Sequence, residues 1–227
     1  MQLIRVWDLP VRLFHALLAV AILGLFITAN LGGNWMEWHK KIGFLVMGLI
    51  VFRVVWGFIG SYHARFINFV RAPSAVFVYA KGLLKPNGKH FLGHNPMGAL
   101  SVLALLGTLA FQAITGLFSN DDIMLEGPYA DTVSKALSDQ MTHLHKLNSE
   151  LILILIGLHL AAIIFYSFYK KERLVKAMLT GDKIQNSSID GYLEAKIAET
   201  PRPYWLSWLT VMIVGALVYA LATRALG

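Results

Sequence analysis

The sequence predicts an all-α integral membrane protein, with four helices forming a bundle and a fifth C-terminal transmembrane helix added to it. Of 227 residues, 56% are hydrophobic and only 15% charged, against the roughly 25% charged residues of a soluble domain. The mean hydropathy is +0.58. The apolar residues gather into five runs without Lys, Arg, Asp or Glu, at 13–34, 42–52, 97–120, 151–169 and 203–223. Four of these reach, or nearly reach, the ~20 residues a helical span needs. The second continues past Arg53 to Gly60.

The first helix is expected over about 11–30. It is too long for the apolar core of a cleaved leader and lacks a small-residue cleavage pattern, so it reads as a retained signal anchor. The second is expected over about 38–59. The third, over about 97–118, is bracketed by the breakers Asn95-Pro96 and Asn120-Asp121. The fourth is expected over about 147–169 and the fifth over about 204–223. Between the second and third, residues 65–84 alternate apolar and basic side chains and include Phe66, Phe69, Phe77 and Tyr79. That pattern predicts a helix lying on the membrane interface. Trp7, Trp35, Trp38, Trp56, Trp205 and Trp208 fall near helix ends, where interfacial aromatics gather.

Loop charge sets the topology. The second loop carries Arg65, Arg71, Lys81, Lys85 and Lys89 with no acid, and the fourth carries Lys170, Lys171, Arg173, Lys176 and Lys183. The third carries Asp121, Asp122, Glu126, Asp131 and Asp139 against Lys135 and Lys146. Positive loops stay inside, which places the second and fourth loops and the N-terminus in the cytoplasm. Lys40 and Lys41 in the first loop run weakly against this. The net charge of +7 then reflects cytoplasmic loops rather than a nucleic-acid surface. With no cysteine in the chain, disulfides, iron–sulfur clusters and covalently attached haem are excluded.

Eight histidines are many for so apolar a chain, and ionisable groups at membrane depth are costly enough to mark function. His15 falls in the first helix, His39 opens the second, and His145 and His159 lie on the fourth. The last two are separated by about 21 Å along a helix axis and by about 40° around it. One helix therefore presents two imidazoles on one side, one towards each face of a ~30 Å hydrocarbon core. Matching depths pairs His39 with His145 at the outer level and His15 with His159 at the inner level. Any one of these alone reads as a satisfied core histidine; two level-matched pairs completed by one helix read as two bis-histidine haem sites. The expected architecture is thus a four-helix di-haem bundle. Gly43, Gly107, Gly116 and Gly157 would give a porphyrin room, or equally give close helix packing. Arg53, about four turns below His39, is expected to pair with a haem propionate or to snorkel to the interface. His63, His90, His94 and His143 read as solvated loop residues.

Several segments together resemble the prokaryotic cytochrome b561 family, which includes the b-type cytochrome subunits of nickel–iron hydrogenases. They are Arg5-Val-Trp-Asp-Leu-Pro-Val-Arg-Leu-Phe-His15, His39-Lys-Lys-Ile-Gly43 running on to Arg53-Val-Val-Trp-Gly57, Gly93-His-Asn-Pro-Met-Gly98, His145 to His159, and Leu174-Val-Lys-Ala-Met-Leu-Thr-Gly181. The resemblance covers residues 1–183 as a four-helix domain, followed by a polar cytoplasmic linker over 184–203 and the additional helix over 204–227. It implies haem ligands at His15, His39, His145 and His159, two non-covalent haem b per chain, and electron exchange with membrane quinone in a respiratory chain. It also implies an extracytoplasmic redox partner such as a hydrogenase or c-type cytochrome. Some members act alone, as superoxide oxidases or ferric reductases. The chain is then an electron-transfer cytochrome or a quinone-linked oxidoreductase subunit. A quinone pocket is expected on the cytoplasmic side, near Arg12, Arg53, His63, Arg65 and His94. A histidine-lined metal transporter would instead need polar or acidic residues between the two histidine levels, and the first, third and fourth helices read as offering none.

Overall fold

The computed structural model describes residues 2–84, 91–122, 126–185 and 203–226. Strand β1 (Gln2–Arg5) leads into α1 (Leu9–Leu31) and α2 (Trp35–Ile59). Two short helices follow, α3 (Phe66–Phe69) and α4 (Pro73–Lys81). Then come α5 (Pro96–Phe118), α6 (Lys135–Phe168), α7 (Leu174–Thr180), strand β2 (Asp182–Gln185) and α8 (Tyr204–Leu226). Helices α1, α2, α5, α6 and α8 are each long and apolar enough to cross a membrane. The predicted all-α membrane fold with five spans is what forms.

Local chemistry explains several helix ends. Asp8 precedes α1 and its Oδ1 accepts the Val11 N–H at 2.8 Å, satisfying one of the N-terminal amides a helix leaves unpaired. Asn95 does the same for α5, accepting the Gly98 N–H at 2.8 Å, with Pro96 at the first helical position, where no N–H is needed. The α1–α2 turn places Gly32 and Gly33 at φ +64 and +51, backbone that side chains with a Cβ rarely adopt.

Four expectations are corrected. The fourth spanning helix begins at Lys135, about twelve residues before its expected start, because absence of charge marks only the part suited to hydrocarbon and Ser134 offers an earlier start. The interfacial helix over 65–84 is two pieces: Val70 and Ala72 are extended, and Pro73 disfavours helical backbone in the residue before it. Trp7 and Trp56 are buried rather than interfacial, the latter donating its indole N–H to Asp8 Oδ2 at 2.9 Å. Ile184 and Gln185, expected to begin the linker, belong to β2. Residues 186–202 of that linker, and Lys85, Lys89 and His90 of the basic loop, lie outside the described residues.

The chain divides into two compact units. In the unit of Met1–Leu13, Val54–Ala104 and Leu155–Ser207, the strands pair antiparallel, Gln2 opposite Gln185 through Arg5 opposite Asp182. Val6 and Trp7 both donate their N–H groups to the Gly181 carbonyl, at 2.8 and 3.0 Å. Gly181 sits at φ +90, where a Cβ would meet the Trp7 carbonyl oxygen at 2.7 Å. Arg12 donates to the Met178 carbonyl at 3.2 Å and also to that of Leu179, closing the C-terminal end of α7 with a cation. The first and last segments of the family resemblance are thereby clasped together.

In the unit of Phe14–Arg53, Leu105–Ile154 and Trp208–Gly227, α2 meets α8 at Gly48, where a Cβ would stand 3.4 Å from Val218. Helix α5 meets α6 along a polar seam. Asn148 donates to the Thr108 carbonyl at 2.9 Å and to Gln112 Oε1 at 2.7 Å, and Gln112 donates to the His145 carbonyl at 3.0 Å.

Candidate functional site

That seam leads to His39 and His145, predicted ligands whose rings the structure shows in contact. His39, one turn into α2, and His145, in α6, have ring centroids 6.3 Å apart and planes inclined at 74°. Each ring is held by the helix it packs against. His39 Nδ1 lies 3.0 Å from the Leu25 carbonyl oxygen and 3.3 Å from Thr28 Oγ1. His145 Nδ1 lies 3.0 Å from the Gln112 carbonyl oxygen and 3.1 Å from Thr115 Oγ1. A carbonyl oxygen can only accept, so Nδ1 carries the proton in both rings and Nε2 is left with its lone pair. This is how metal-binding imidazoles are oriented, the remote nitrogen anchored and the near one presented as a base.

The separation fits a shared metal. An imidazole nitrogen ligates a first-row metal from about 2 Å, which puts the centres of two rings flanking one ion roughly 6 Å apart. Among the described residues no group of three or more His, Cys, Asp or Glu could hold a metal ion. Two imidazoles leave a bare cation far short of its coordination number, whereas iron in a porphyrin brings four equatorial ligands and needs two axial ones. The donor set therefore fits haem. Gly43 and Gly107, in the same unit, each leave space in which an added Cβ would meet nothing within 4 Å. Gly116 differs, since its Cβ would lie 3.0 Å from His145 Cε1. That glycine seats the His145 ring.

The remaining predicted residues are placed as follows. His15 is on α1 and exposed, and His159 is on α6 and half-buried. Arg53 is buried, at 3% exposure, which removes the snorkelling alternative. His143 is exposed, as expected of a loop-type residue, although it now falls within α6. His63 is buried and His94 half-buried, rather than solvated as expected. His63 is 6% exposed, and His94 packs at 4.7 Å from Trp7 and 4.4 Å from Phe69 between ring centres. Burial, reinforced by the nearby Lys183 charge, pushes the His63 pKa down to about 4. A Cβ at Gly93 would strike His63 Nδ1 at 2.7 Å, which accounts for that glycine in the Gly93-His-Asn-Pro segment. The adjoining cavity, about 20 Å³, has room for one water molecule and not for a quinone ring. Arg12, expected near a quinone pocket, is engaged with the α7 carbonyls instead.

Thr28, Gln112, Thr115 and Asn148 were missed by reading the chain alone, which credited the first, third and fourth helices with no relevant polar residues. Their signal was present: Thr108, Gln112 and Thr115 recur at helical spacing on one face of an otherwise apolar segment. These groups hold the two histidines and each other.

The family pattern of prokaryotic cytochrome b561 matches residues 6–181. A probable Ni/Fe-hydrogenase B-type cytochrome subunit of Rhizobium leguminosarum bv. viciae is 24% identical over 218 residues, covering 81% of this chain and 90% of its own length. Its counterpart in Bradyrhizobium diazoefficiens is 21% identical over 215 residues, covering 79% of this chain and 85% of that one. One from Azotobacter chroococcum mcd 1 is 25% identical over 156 residues, covering 56% and 64%. No solved structure matches the chain.

Proposed function

The chain belongs to the prokaryotic cytochrome b561 family and is a multi-pass membrane b-type cytochrome of electron transfer; from that premise we propose that it carries two haem b and links an extracytoplasmic redox partner with the quinone pool. The observation that carries this reading is the His39–His145 pair, with both Nδ1 atoms anchored and the ring centres 6.3 Å apart. His39 and His145 would hold the outer haem. His15 and His159 would hold the inner one, an assignment that rests on their depth in the sequence. Arg53, buried and cationic, would pair with a propionate.

The haems supply one-electron chemistry when bound. His39, His145, His15 and His159 would hold the haem irons, and the apolar helices around them would limit water and set the polarity about each group. The outer loop presents exposed Asp122, Glu126 and Asp131, which suits docking of a basic face on a soluble redox partner. The names of the Rhizobium and Bradyrhizobium relatives favour a hydrogenase in that role. The quinone is assigned to the opposite, cytoplasmic side, where loops are basic and protons are available, with the N-terminus on that side of the inner membrane. Residues 1–183 would form the haem domain and 204–227 an added helix.

Pyridine haemochrome analysis of purified protein should give about two haem b per chain. A value near one, or a c-type spectrum, refutes the pairing. Quinone-site inhibitors should perturb the spectrum of the haem that depends on His15; perturbation confined to the haem that depends on His39 places the quinone on the outer side instead.

A further inference from the structure

The two histidines of the candidate site are held in the same way by two helices whose sequences are not repeats of one another. Each Nδ1–H meets a main-chain carbonyl and, three residues further along the same helix, a threonine hydroxyl. The pairs are Leu25 and Thr28 on α1, and Gln112 and Thr115 on α5. Both threonines are nearly inaccessible, at 4% and 1% exposure. Each hydroxyl also lies within reach of carbonyls of its own helix. Thr28 Oγ1 is 2.8 Å from the Gly24 oxygen and 3.1 Å from that of Leu25, and Thr115 Oγ1 is 3.0 Å from those of both Phe111 and Gln112. A hydroxyl has one proton and two lone pairs. With the proton committed to a carbonyl, only lone pairs remain for the imidazole.

The consequence is a forked bond. Each Nδ1–H is shared between two acceptors lying in different directions from the ring. Nδ1 lies off the Cβ–Cγ bond about which the ring turns, so an acceptor held on a neighbouring helix opposes that rotation, and two confine the ring plane more tightly than one. The planes so defined are inclined at 74°. Valine has the shape of threonine without the oxygen, and the apolar requirement of a membrane helix would be met better by valine. A local role alone, back-bonding to the helix, does not account for the same contact with Nδ1 arising twice.

We propose that Thr28 and Thr115 are positioning residues that lock the His39 and His145 ring planes near perpendicular and strengthen both imidazoles as electron donors to the outer haem iron. This rests on the reading of His39 and His145 as axial ligands. An acceptor on Nδ1–H gives the ring partial imidazolate character, and so stabilises ferric over ferrous iron and lowers the midpoint potential. Perpendicular axial planes leave the iron orbitals nearly degenerate, which produces a strongly anisotropic low-spin resonance rather than the rhombic one of parallel planes.

The test uses full-length protein with Thr28→Val, Thr115→Val, the double variant and the corresponding Thr→Ser variants. Haem content, low-temperature EPR and redox potentiometry are read on each, and the outer-haem signal is identified as the one lost in His39→Ala. In the wild type that signal should be strongly anisotropic. In the valine variants haem should be retained, the outer potential should rise, most in the double variant, and the resonance should move towards rhombic; serine should restore both. Unchanged EPR and potential in a haem-replete double valine variant overturns the proposal, as does a rhombic outer haem in the wild type. If the double variant loses the outer haem, its return with serine supports positioning, and loss with serine as well overturns it. A wild-type protein without a haem that depends on His39 refutes the ligand reading itself, and the proposal with it.

Discussion

Replacing Gly116 with alanine tests the ligand site through one methyl group. The new Cβ would lie 3.0 Å from His145 Cε1 and 3.4 Å from His145 Nδ1. Carbon atoms pack without strain at about 3.5–4.0 Å, so the ring or the α5 backbone must yield by a few tenths of an ångström. The backbone there is tied to the ligand from two sides, since Gln112 both accepts from His145 Nδ1 and donates to the His145 carbonyl. The ring is therefore the part that moves, and ligand positions tolerate only about 0.5 Å or 10–20° before the site is lost. Overpacking of this size costs about 1–3 kcal/mol, which is roughly a 5- to 150-fold weaker hold on the outer haem at 1.4 kcal/mol per decade. The assay is haem occupancy and the reduced-minus-oxidised spectrum during titration of apoprotein with haem. Selective weakening of one of two haems is expected, with the other unchanged. Full occupancy with an unaltered spectrum and potential would show that the ring has space the geometry denies it, and would refute the argument that Gly116 seats an axial ligand.

Three further outcomes follow from the same geometry. His39→Ala should remove one haem and leave the other, and His15→Ala should do the reverse, as read by haemochrome and redox titration; loss of a haem on His63→Ala but not on His39→Ala would reverse the assignment. Burial holds the His63 pKa near 4 against 6.5 when unfolded. Its contribution to stability is therefore whole above about pH 6.5 and falls away as pH drops towards 4, by up to about 3 kcal/mol. The slope of melting temperature against pH across that window should be shallower in His63→Gln, and an identical slope would refute the buried neutral imidazole. A chain ended after Gln185 keeps β2 and its pairing with β1 and should still bind both haems, because α8 carries no histidine. Ending it before Asp182 should lower the melting temperature by removing the clasp, and a chain that loses both haems on the first cut while remaining folded would make α8 part of the haem core.

What the residues determined by themselves was whatever depends on near neighbours along the chain. Uncharged apolar runs specify spans because each residue in hydrocarbon must individually be affordable there. Asn95-Pro96 and Asn120-Asp121 bracket a helix because breaking and capping are local matters. The shared face of His145 and His159 on α6 follows from helical periodicity alone, and the pairing of His39 with His145 followed from depth. Tertiary structure alone decided which carbonyl meets which imidazole. Leu25 stands fourteen residues from His39, and Gln112 thirty-three from His145. Such contacts depend on the rotation of one helix against another, which is set by the whole packed seam and not by any one segment. The burial of His63 and Trp7 has the same origin. Both lie in polar-looking stretches, and residues distant in sequence, Gly93 against His63 and Gly181 and His94 against Trp7, pack on them.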